Sequence, residues 1–376
     1  MKPRVLFVAR TRYALPLNET LQRRFDALSE VMEWHQLGAA ADGGGVSDHR
    51  FTLVPPFPFG SLDGAAFYGA LPVRIARAIR SFRPDAVIVQ GTQDTSLAFA
   101  GRTLAHVDVP IVLDVHGDWR GDTRVFGSSA RRLLSPAVDR LADYAVRHAD
   151  GVRTVSGFTS GLVRERGVEP TATFPAYMDL APFLATDPVP LPITPRALFV
   201  GVLERYKAVD VLAGAWRILA PRVPDASLQI VGMGPLEGTV QGLVAEPELH
   251  VGWTPRLTTA EVARALDDAT LLVLPSRGEG MGRVVVEAFC RGRAVVGSNA
   301  GGIPDLVVHD ASGLLVPQAD PAALATALER LLTDQELAER LGAGAHAASR
   351  AWTATPEEFA ARMRELVDRV IAGAGR

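Results

Sequence analysis

Two glutamates lie eight residues apart around a glycine-rich turn in the stretch PSRGEGMGRVVVEAF, residues 275–289. If the whole stretch formed one helix, about 100° of rotation per residue would leave the side chains of Glu279 and Glu287 roughly 80° apart and about 12 Å apart along the axis. Gly280 and Gly282 instead favour a loop that turns into a helix. We therefore expect Glu279 to precede the helix and Glu287 to lie well inside it, so that the two carboxylates can reach two ends of one ligand.

The helix that follows Gly282 has a start suited to phosphate, because a helix N-terminus carries about +0.5 of a unit charge and unpaired N–H groups. A carboxylate beside a bound phosphate would repel it. Glu279 is therefore expected to accept hydrogen bonds from hydroxyl groups next to the phosphate, and Glu287 from a vicinal diol further along. A ligand with phosphates between two hydroxyl-bearing rings describes a sugar nucleotide. In the alternative interpretation Glu279 is a solvated loop residue and Glu287 an exposed helix residue.

Short aliphatic strands alternate with helices along the whole chain. The first half contains the strands RVLFVA, PDAVIVQG and VPIVLDVHG and a helix that Asn18 is placed to cap. The second half repeats the pattern with RALFVGVL, SLQIVG, LHVGW and TLLVLPS. Strands without strict alternation are typical of parallel sheets covered on both faces, so we predict an α/β protein with two Rossmann-like, doubly wound domains. TLLVLPS ends at Ser276, which puts Glu279 at the carboxyl end of a strand, where such sheets bind ligands.

The length of 376 residues also favours two domains. Between the two repeats the pattern lapses into FPAYMDLAPFLATDPVPLPITP, whose prolines suit a linker. We predict an N-terminal domain over residues 1–175, a linker over 176–195 and a C-terminal domain over 196–354, with a cleft between the two sheets. A C-terminal helix over 355–376, capped by Thr355, is expected to pack back towards the N-terminal domain.

The composition disfavours several classes of protein. The net charge is −3, and the chain has no block of basic residues of the kind that binds nucleic acid. The single cysteine, Cys290, cannot form an internal disulfide. The start MKPRVLFVAR lacks the apolar core of a signal peptide, and no apolar run approaches the roughly 20 residues of a membrane span. We expect a soluble, cytoplasmic protein.

Peripheral contact with the inner face of a membrane stays open as a hypothesis. Arg23, Arg24, Arg131 and Arg132 lie on predicted helices, and the stretch FPFGSLDGAAFYGAL is apolar. A basic and apolar face of this kind can bind a membrane surface. Such arginines are more often a solvated helix face, and that interpretation stays beside the first.

The stretch PSRGEGMGRVVVEAFCRGRAVVGSNAGGIPDLV resembles the signature of the GT4 family of retaining glycosyltransferases, in which a serine precedes E-x7-E around a glycine-aromatic-glycine. GVLERYKAVDVL resembles the family's G-R-L-x-x-x-K-G-x-x-x-L, and VGMGPLEG its V-G-x-G-P. The resemblance covers nearly all of the C-terminal half. It implies a GT-B fold, in which the C-terminal domain binds a nucleotide sugar and the N-terminal domain contacts the acceptor.

The resemblance also implies roles for individual residues. Glu287 matches the glutamate that holds the ribose hydroxyls, and Glu279 matches the one that holds hydroxyls of the transferred sugar. The backbone amides of Gly280, Met281 and Gly282 are expected close to the sugar and the phosphates, although an aromatic residue is usual at the position of Met281.

Lys207 matches the family lysine that neutralises the diphosphate leaving group. Lysine occurs at only two positions in a chain rich in arginine, so a lysine at this motif position is a specific signal. The alternative is an exposed lysine at the start of a helix. The family arginine after the first glycine is Val202 here, and Arg205 is the candidate to supply its charge. Arg256 completes the predicted donor-binding set.

His116 in LDVHGDW comes directly after a strand and resembles the family's strand-end histidine near the donor sugar. Imidazole can donate to a sugar hydroxyl or exchange a proton near neutral pH. A lone histidine at a strand end is often only a loop residue, and that alternative is kept. No histidines have paired metal-ligand spacing, and no D-x-D lies between a strand and a loop, so neither a metal nor another cofactor is predicted.

These features predict a retaining, metal-independent glycosyltransferase that moves a sugar from a nucleotide-diphosphate sugar to a hydroxyl acceptor: a glycan, a lipid-linked saccharide or a small natural product. His116, Lys207 and Glu279 are the predicted catalytic residues. Two alternatives stay open: an epimerase-like relative that acts on the sugar nucleotide alone, and a non-catalytic protein that binds carbohydrate or nucleotide. A nicotinamide-dependent dehydrogenase is disfavoured because VARTRYA has no glycine after the first strand.

Overall fold

The chain folds into two compact α/β units, each with its own sheet. Unit 1 comprises Met1–Tyr177 and Ala354–Arg376, and unit 2 comprises Met178–Thr353. The computed structural model describes residues 1–41, 43–59, 62–120 and 129–374, without the side chains of 129–135. The side chains of Arg131 and Arg132, on the predicted basic helix face, are therefore not described.

Strands and helices alternate along most of unit 1, as predicted. Its strands are β1 (Arg4–Tyr13), β2 (Glu33–Ala40), β3 (Val46–Ser47), β4 (Phe51–Val54), β5 (Ala86–Gln90), β6 (Ile111–Val115), β7 (Gly151–Thr154) and β8 (Ala172–Thr173). In the described residues before Met178, its helices are α1 (Glu19–Val31), α2 (Asp63–Phe82), α3 (Thr92–Ala105), α4 (Ser129–His148) and α5 (Gly157–Arg164).

The sheet of unit 1 has the order β3-β4-β2-β1-β5-β6-β7-β8 in the described part of the chain, and only the β3–β4 pair is antiparallel. Successive residues of a strand point to opposite faces of the sheet. In β1, Val5 and Phe7 enter one apolar cluster, while Leu6 and Val8 enter another. Both faces are thus covered, which explains why these strands are aliphatic throughout.

Unit 2 is also an α/β layer structure. Its strands are β9 (Arg196–Val200), β10 (Ser227–Val231), β11 (Val251–Thr254), β12 (Leu271–Leu274), β13 (Ala294–Ser298) and β14 (Gly313–Val316). Its helices are α6 (Ala181–Leu184), α7 (Val209–Leu219), α8 (Glu237–Val244), α9 (Thr259–Asp267), α10 (Arg283–Cys290), α11 (Ile303–Leu306), α12 (Pro321–Thr333) and α13 (Gln335–Ser349). The sheet is parallel, with the order β11-β10-β9-β12-β13-β14.

The C-terminal helix α14 (Pro356–Ala374) returns to unit 1, and this part of the fold prediction is confirmed. The predicted cap is also confirmed: the Glu358 N–H donates to Thr355 Oγ1 at 3.2 Å, and the Thr355 N–H donates to Glu358 Oε2 at 3.0 Å. Phe359 and Met363 are buried in the same apolar cluster as Phe25 of α1. The apolar stripe of α14 therefore completes one covering layer of the sheet of unit 1.

Residues 178–195 differ from the expected linker. Three of them, Met178, Leu180 and Phe183, are buried in the core of unit 2. Two fully buried arginines bind the carbonyl groups that follow. Arg291 donates to the carbonyls of residues 183, 186 and 187, and Arg293 to those of residues 189 and 190. A proline-rich segment shows no helical or strand periodicity, so its sequence did not reveal these contacts.

The first half also contains strands that the sequence pattern did not predict. β2 and β4 pair in parallel next to β1. The stretch GAAADGGGVSD, whose glycines suggest a loop, includes the end of β2 and all of β3. Seven of the eight residues of β2 are buried although its sequence, EWHQLGAA, is not markedly apolar. β2 therefore forms a strand because it is buried between two neighbouring strands, and not because its sequence is strongly apolar.

In each sheet the order of the strands reverses at one place. The reversal lies between β1 and β5 in unit 1 and between β9 and β12 in unit 2. Connections leave in opposite directions from such a pair of strands, so a crevice opens outside their carboxyl ends, where doubly wound sheets bind ligands. We call these places the switch points of unit 1 and unit 2.

None of the helices in the described part of the chain combines the length and apolar character that crossing a bilayer requires.

Candidate active site

The switch point of unit 2 brings together two residues that the resemblance singles out. Lys207 ends a single 3-10 turn after β9, and Glu279 lies in the loop after β12. The Lys207 Nζ atom is 2.5 Å from Glu279 Oε1, and the Ser276 hydroxyl donates to the same oxygen at 3.0 Å. Only 11% of the Lys207 side chain and 10% of the Glu279 side chain are exposed. Residues far apart in sequence thus form a nearly buried ion pair.

Each charge of the Lys207–Glu279 ion pair compensates the other in a nearly buried place. Removing one partner of a buried pair typically costs about 3 to 5 kcal/mol, because the other charge is left uncompensated. The Lys207 ammonium also lies 5.2 Å from the centre of the Tyr206 ring, within the range of a cation–π contact. An ammonium held in this way can act on a phosphate as a compact point charge.

A pair of glycines in the loop after β13 supports the backbone that carries Glu279. The Gly302 N–H donates to the Glu279 carbonyl at 2.7 Å. A Cβ atom on Gly301 would lie 2.4 Å from the Glu279 carbonyl oxygen, and one on Gly302 would lie 2.4 Å from that of Gly280. Gly301 also has a φ of +55°. Only glycine permits this approach, so the motif G-G-x-P positions the loop that carries Glu279.

The helix α10 begins where the glycines predict. Gly282 is its N-cap and is buried, and Met281 packs partly against the core. Glu287 lies in the second turn of α10, and its carboxylate has no hydrogen-bond partner among the residues that the structure describes. Burial raises the pKa of Glu287, while the charges of Arg283 and Lys207 oppose that rise. Glu287 can therefore accept hydrogen bonds from a ligand, and the charge of Lys207, the partner of Glu279, also acts on its carboxylate.

His116 lies in unit 1, directly after β6, and is held by a carboxylate. Its Nε2 atom is 3.0 Å from Asp114 Oδ2, and the Arg153 guanidinium donates to Asp114 Oδ1 at 2.6 Å. Arg153 is fully buried and also donates to the carbonyls of Phe174 and Pro175, at 3.0 and 2.8 Å. Burial by itself would raise the pKa of Asp114, but the charges of Arg153 and His116 lower it well below its usual range.

The ionised state of Asp114 determines the tautomer of a neutral His116. A carboxylate only accepts hydrogen bonds, so Nε2 must carry the proton that points at Asp114. Nδ1 is then an acceptor, and it has no partner in the described ranges of the chain. The imidazole can accept a hydrogen bond from a hydroxyl at Nδ1, and it can donate there only when it is protonated.

Two known protein families match this chain. The family described as "Glycosyl transferase 4-like domain" matches residues 6–175, and the family described as "Glycosyl transferases group 1" matches residues 192–347. The chain belongs to the GT4-like group 1 glycosyltransferases. The two matches fall on the bodies of unit 1 and unit 2, respectively, which confirms the family predicted from the motifs.

Curated relatives share part of this group 1 glycosyltransferase. A D-inositol 3-phosphate glycosyltransferase of Corynebacterium diphtheriae is 33% identical over 175 residues, which is 43% of this chain and 40% of the relative. A glycogen synthase of Mycobacterium tuberculosis is 31% identical over 273 residues, which is 69% of this chain and 63% of the relative. The matches to these relatives thus span about two fifths to two thirds of their lengths.

Solved structures share the fold of this group 1 glycosyltransferase at low sequence identity. A sucrose-phosphate synthase from Thermosynechococcus elongatus has a TM-score of 0.79 at 20% identity, covering 99% of this chain and 100% of that one. The Anabaena protein Alr3699/HepE has a TM-score of 0.67 at 19% identity, covering 96% and 99%. The predicted GT-B fold is confirmed.

Two predicted donor-binding residues of the glycosyltransferase, Arg205 and Arg256, lie apart from the Lys207–Glu279 ion pair. Arg205 is exposed on the 3-10 turn, and Arg256 is exposed after the edge strand β11. Neither guanidinium has a partner within the described residues. β10 separates β11 from β9, so Arg256 follows a strand two places from the one before Lys207. Val202, where the family has arginine, is also exposed.

Other residues that position the site had not been predicted. Arg277 donates through its N–H to the Tyr206 carbonyl at 2.6 Å, and its guanidinium binds both carboxylate oxygens of Asp210 at 3.0 and 2.7 Å. The loop that carries Glu279 is thereby tied to the turn that carries Lys207. The partners lie 67 residues apart in sequence, so no local pattern could have revealed them.

Proposed function

We propose that this glycosyltransferase moves a sugar from a nucleoside-diphosphate sugar to a hydroxyl acceptor, with retention of the anomeric configuration and without a metal ion. The contact between Lys207 and Glu279 at the switch point of unit 2 carries the proposal. It brings one cation and one carboxylate together just before the start of α10, and Glu287 lies further along the same helix. Crystal structures of Anabaena Alr3699/HepE contain UDP or UDP-glucose, which supports a nucleotide-sugar donor.

In this proposal unit 2 holds the donor at both ends. Glu287 accepts hydrogen bonds from the ribose hydroxyls, and Glu279 accepts them from hydroxyls of the transferred sugar. The diphosphate lies between them, against Lys207 and the backbone amides at residues 280–282. A phosphate next to Lys207 shares the ammonium with Glu279, which keeps the carboxylate compensated while the donor is bound.

Charge explains how this arrangement speeds transfer. As the bond between the anomeric carbon and the diphosphate breaks, negative charge grows on the phosphate oxygen. Lys207 and the start of α10 stabilise that charge as a fixed cation and fixed dipoles, and we propose that they serve where other enzymes use magnesium. Arg205 is a further exposed cation that can approach the same phosphate.

Retention follows if the acceptor attacks from the side of the leaving phosphate. The acceptor oxygen forms the new bond to the anomeric carbon, the phosphate departs with the electron pair of the old bond, and a phosphate oxygen takes the acceptor's proton. This route needs no protein nucleophile. We propose that His116 contacts a sugar hydroxyl through Nδ1, held in place by Asp114.

Thermal unfolding in the presence of UDP-, GDP-, ADP- and dTDP-sugars tests the donor site. A ligand at 100 times its dissociation constant stabilises the folded protein by about 2.7 kcal/mol. We expect one nucleotide class to raise the melting temperature of the wild type but not of Lys207→Met, while Arg217→Met, which removes an exposed cation of the same unit, responds as the wild type does.

Product analysis tests the reaction. NMR should show the same anomeric configuration in donor and product, and excess EDTA should leave the rate unchanged. Inversion, or loss of activity with EDTA that magnesium restores, would overturn those parts of the proposal. Turnover of the donor into an epimer without any acceptor would favour the epimerase-like alternative, and binding without turnover would favour the non-catalytic one.

A further inference from the structure

The switch point of unit 1 contains a cavity of about 350 Å³. It lies beside β1 and the carboxyl ends of β5 and β6, on the strands where the order of the sheet reverses. Doubly wound sheets bind ligands at this place, whatever the ligand. The polar side chains of the cavity wall are those of Arg10, Thr11, Gln90, Thr92, Asp94 and His116.

Asp94 is the unusual group in this wall. It lies in the first turn of α3 and is only 6% exposed, and its Oδ1 atom has no hydrogen-bond partner in the described structure. Burial raises the pKa of Asp94 to about 6, and a hydrogen bond from its own backbone N–H and the charge of Arg10 oppose the rise only in part. Arg10 instead donates to Asp63 Oδ2 at 2.7 Å. A buried carboxylate oxygen without a hydrogen-bond donor destabilises a protein, so Oδ1 of Asp94 calls for an explanation.

A purely structural role does not explain Asp94. Acidic caps elsewhere in the chain accept from a backbone N–H at the start of their helix: Asp320 from Ala323 and Asp334 from Leu337, both at 2.9 Å. The N-cap of α3 is Gly91, so Asp94 is already inside the helix and caps no other residue there. The positive end of the helix dipole favours a carboxylate in the first turn, but this effect does not supply the missing hydrogen-bond donor for Oδ1.

We propose that Asp94 accepts a hydrogen bond from a hydroxyl group of the acceptor, and that the acceptor presents a single polyhydroxylated ring, a sugar or a cyclitol, to this cavity. This inference rests on the proposed function. The volume is at the lower end of the range of small-molecule sites, which suits one ring. Thr11, Gln90 and Thr92 offer further polar partners to a polyol, and the charge of Arg10 in the wall disfavours a cationic ligand.

The imidazole ring of His116, which the proposed mechanism uses, also borders this cavity. His116 contributes to the same wall, with Nε2 directed at Asp114. Asp94 on one segment and Nδ1 of His116 on the next are both acceptors, so a ring that carries several hydroxyls can satisfy both. Asp94 is then a residue that determines acceptor specificity, and it makes no contact with the leaving phosphate.

Binding of defined probes to the full-length protein tests the inference. The probes are myo-inositol and D-glucose, each as the free polyol and as a monophosphate, titrated in the presence of UDP. We expect at least one probe to bind the wild type and to bind Asp94→Asn about tenfold more weakly or worse, the loss expected for a hydrogen bond to a charged group. The phosphorylated and free arms show whether Arg10 adds recognition of a phosphate.

Two controls separate the possible failures. Asp108→Asn, at an exposed aspartate just after α3, should bind the probes as the wild type does. Deoxy analogues of the bound probe identify the hydroxyl: its removal should weaken binding to the wild type and not weaken binding to Asp94→Asn further. The melting temperature of Asp94→Asn should not fall, whereas a structural role for Asp94 would lower it.

The inference is overturned if no probe binds the wild type, or if Asp94→Asn binds the probes as tightly as the wild type. Stabilisation by nucleotide sugars is measured on the same samples. A protein that is stabilised by a nucleotide sugar but fails the probe test retains its proposed donor site and loses the acceptor site. A protein that is stabilised by no nucleotide sugar loses the proposed function itself.

Discussion

The two switch points of this glycosyltransferase hold a carboxylate in corresponding places and treat it in opposite ways. Glu279 follows β12 in unit 2, and Asp94 follows β5 in unit 1; each comes after the strand that lies just across the reversal of its sheet. Glu279 is paired with Lys207 and a serine hydroxyl, whereas Oδ1 of Asp94 has no partner among the described residues. The carboxylate at this fold position thus has a cationic partner within the protein in unit 2, whereas in unit 1 the proposed ligand supplies the missing hydrogen-bond donor.

The difference shows that position in the fold provides a crevice, while the neighbouring side chains decide its chemistry. A carboxylate paired with an ammonium can tolerate a diphosphate next to it, because both anions share the cation. A buried carboxylate oxygen without a partner needs a hydrogen-bond donor, and the charge of Arg10 in the same wall favours a neutral donor over a cationic one. The comparison therefore predicts an anionic ligand for unit 2 and a polyol for unit 1. Substitutions at either site can test this prediction.

The largest expected effect comes from Glu279→Gln. The amide keeps the shape of the side chain but loses the negative charge beside Lys207 and one acceptor for the sugar hydroxyls. We expect transfer to fall roughly 100-fold to 1,000-fold, the range seen when a preorganised polar group is removed from an active site. Steady-state kinetics measure the effect, and circular dichroism checks that the fold survives. Glu248→Gln, at an exposed glutamate of the same unit, is the matched control; near-normal transfer by Glu279→Gln would contradict the assignment.

Asp114→Asn tests a paired carboxylate in unit 1. It leaves the fully buried charge of Arg153 without its partner, so we expect a loss of about 3 kcal/mol in the free energy of unfolding. The pKa of Asp114 is lowered in the folded state, so its stabilisation is present above the unfolded-state pKa near 4 and is lost as the pH falls below it. Urea unfolding at neutral and acid pH measures this. Equal stability of variant and wild type at neutral pH would show that the pair is not needed.

Asp94→Asn should change stability in the opposite direction. The pKa of Asp94 is raised to about 6, so the folded state loses stability as the pH rises from about 4, the unfolded-state pKa, to 6. We expect the variant to be more stable than the wild type by about 2 kcal/mol at neutral pH, and the difference to vanish at about pH 4. Urea unfolding at both pH values measures the gain. A variant that is less stable at neutral pH would remove the contrast between the two switch points.

The smallest effect is expected for Glu287→Gln. An amide keeps one acceptor oxygen but weakens the hydrogen bonds from a ribose, so we expect nucleotide affinity to fall roughly tenfold, about 1.4 kcal/mol. Burial raises the pKa of Glu287, so its replacement by a neutral residue should not destabilise unit 2. Calorimetry with the stabilising nucleotide measures the affinity. Unchanged affinity would place the ribose elsewhere.

Local sequence patterns predicted much of both units. Aliphatic runs indicated most of the strands, Asn18 and Thr355 marked helix starts, and the glycines around Glu279 marked the loop before α10. The pattern failed at β2 and in residues 178–195. In both places the elements are stabilised by contacts with distant parts of the chain, namely neighbouring strands and the guanidinium groups of two buried arginines.

The candidate site was predictable where its residues lie in sequence motifs of the family. The resemblance identified Lys207, Glu279 and Glu287, and the structure brings Lys207 and Glu279 into contact. It did not identify Asp94, because a single aspartate in QGTQDTS has no spacing that indicates chemistry. The available signal was its place after the strand across a reversal of the sheet, which can be recognised only once the strand order is known.

The sequence by itself determined the local elements and the types of chemical group that they carry: a glycine turn into a helix, two carboxylates in one motif, and one internal lysine. These depend on conformational preferences that act over a few residues. Only the tertiary structure decided which carboxylate is paired and which is buried alone, because a charge state depends on every group within a few ångströms. Strand order sets those neighbours, and here it joins residues that lie tens of positions apart along the chain.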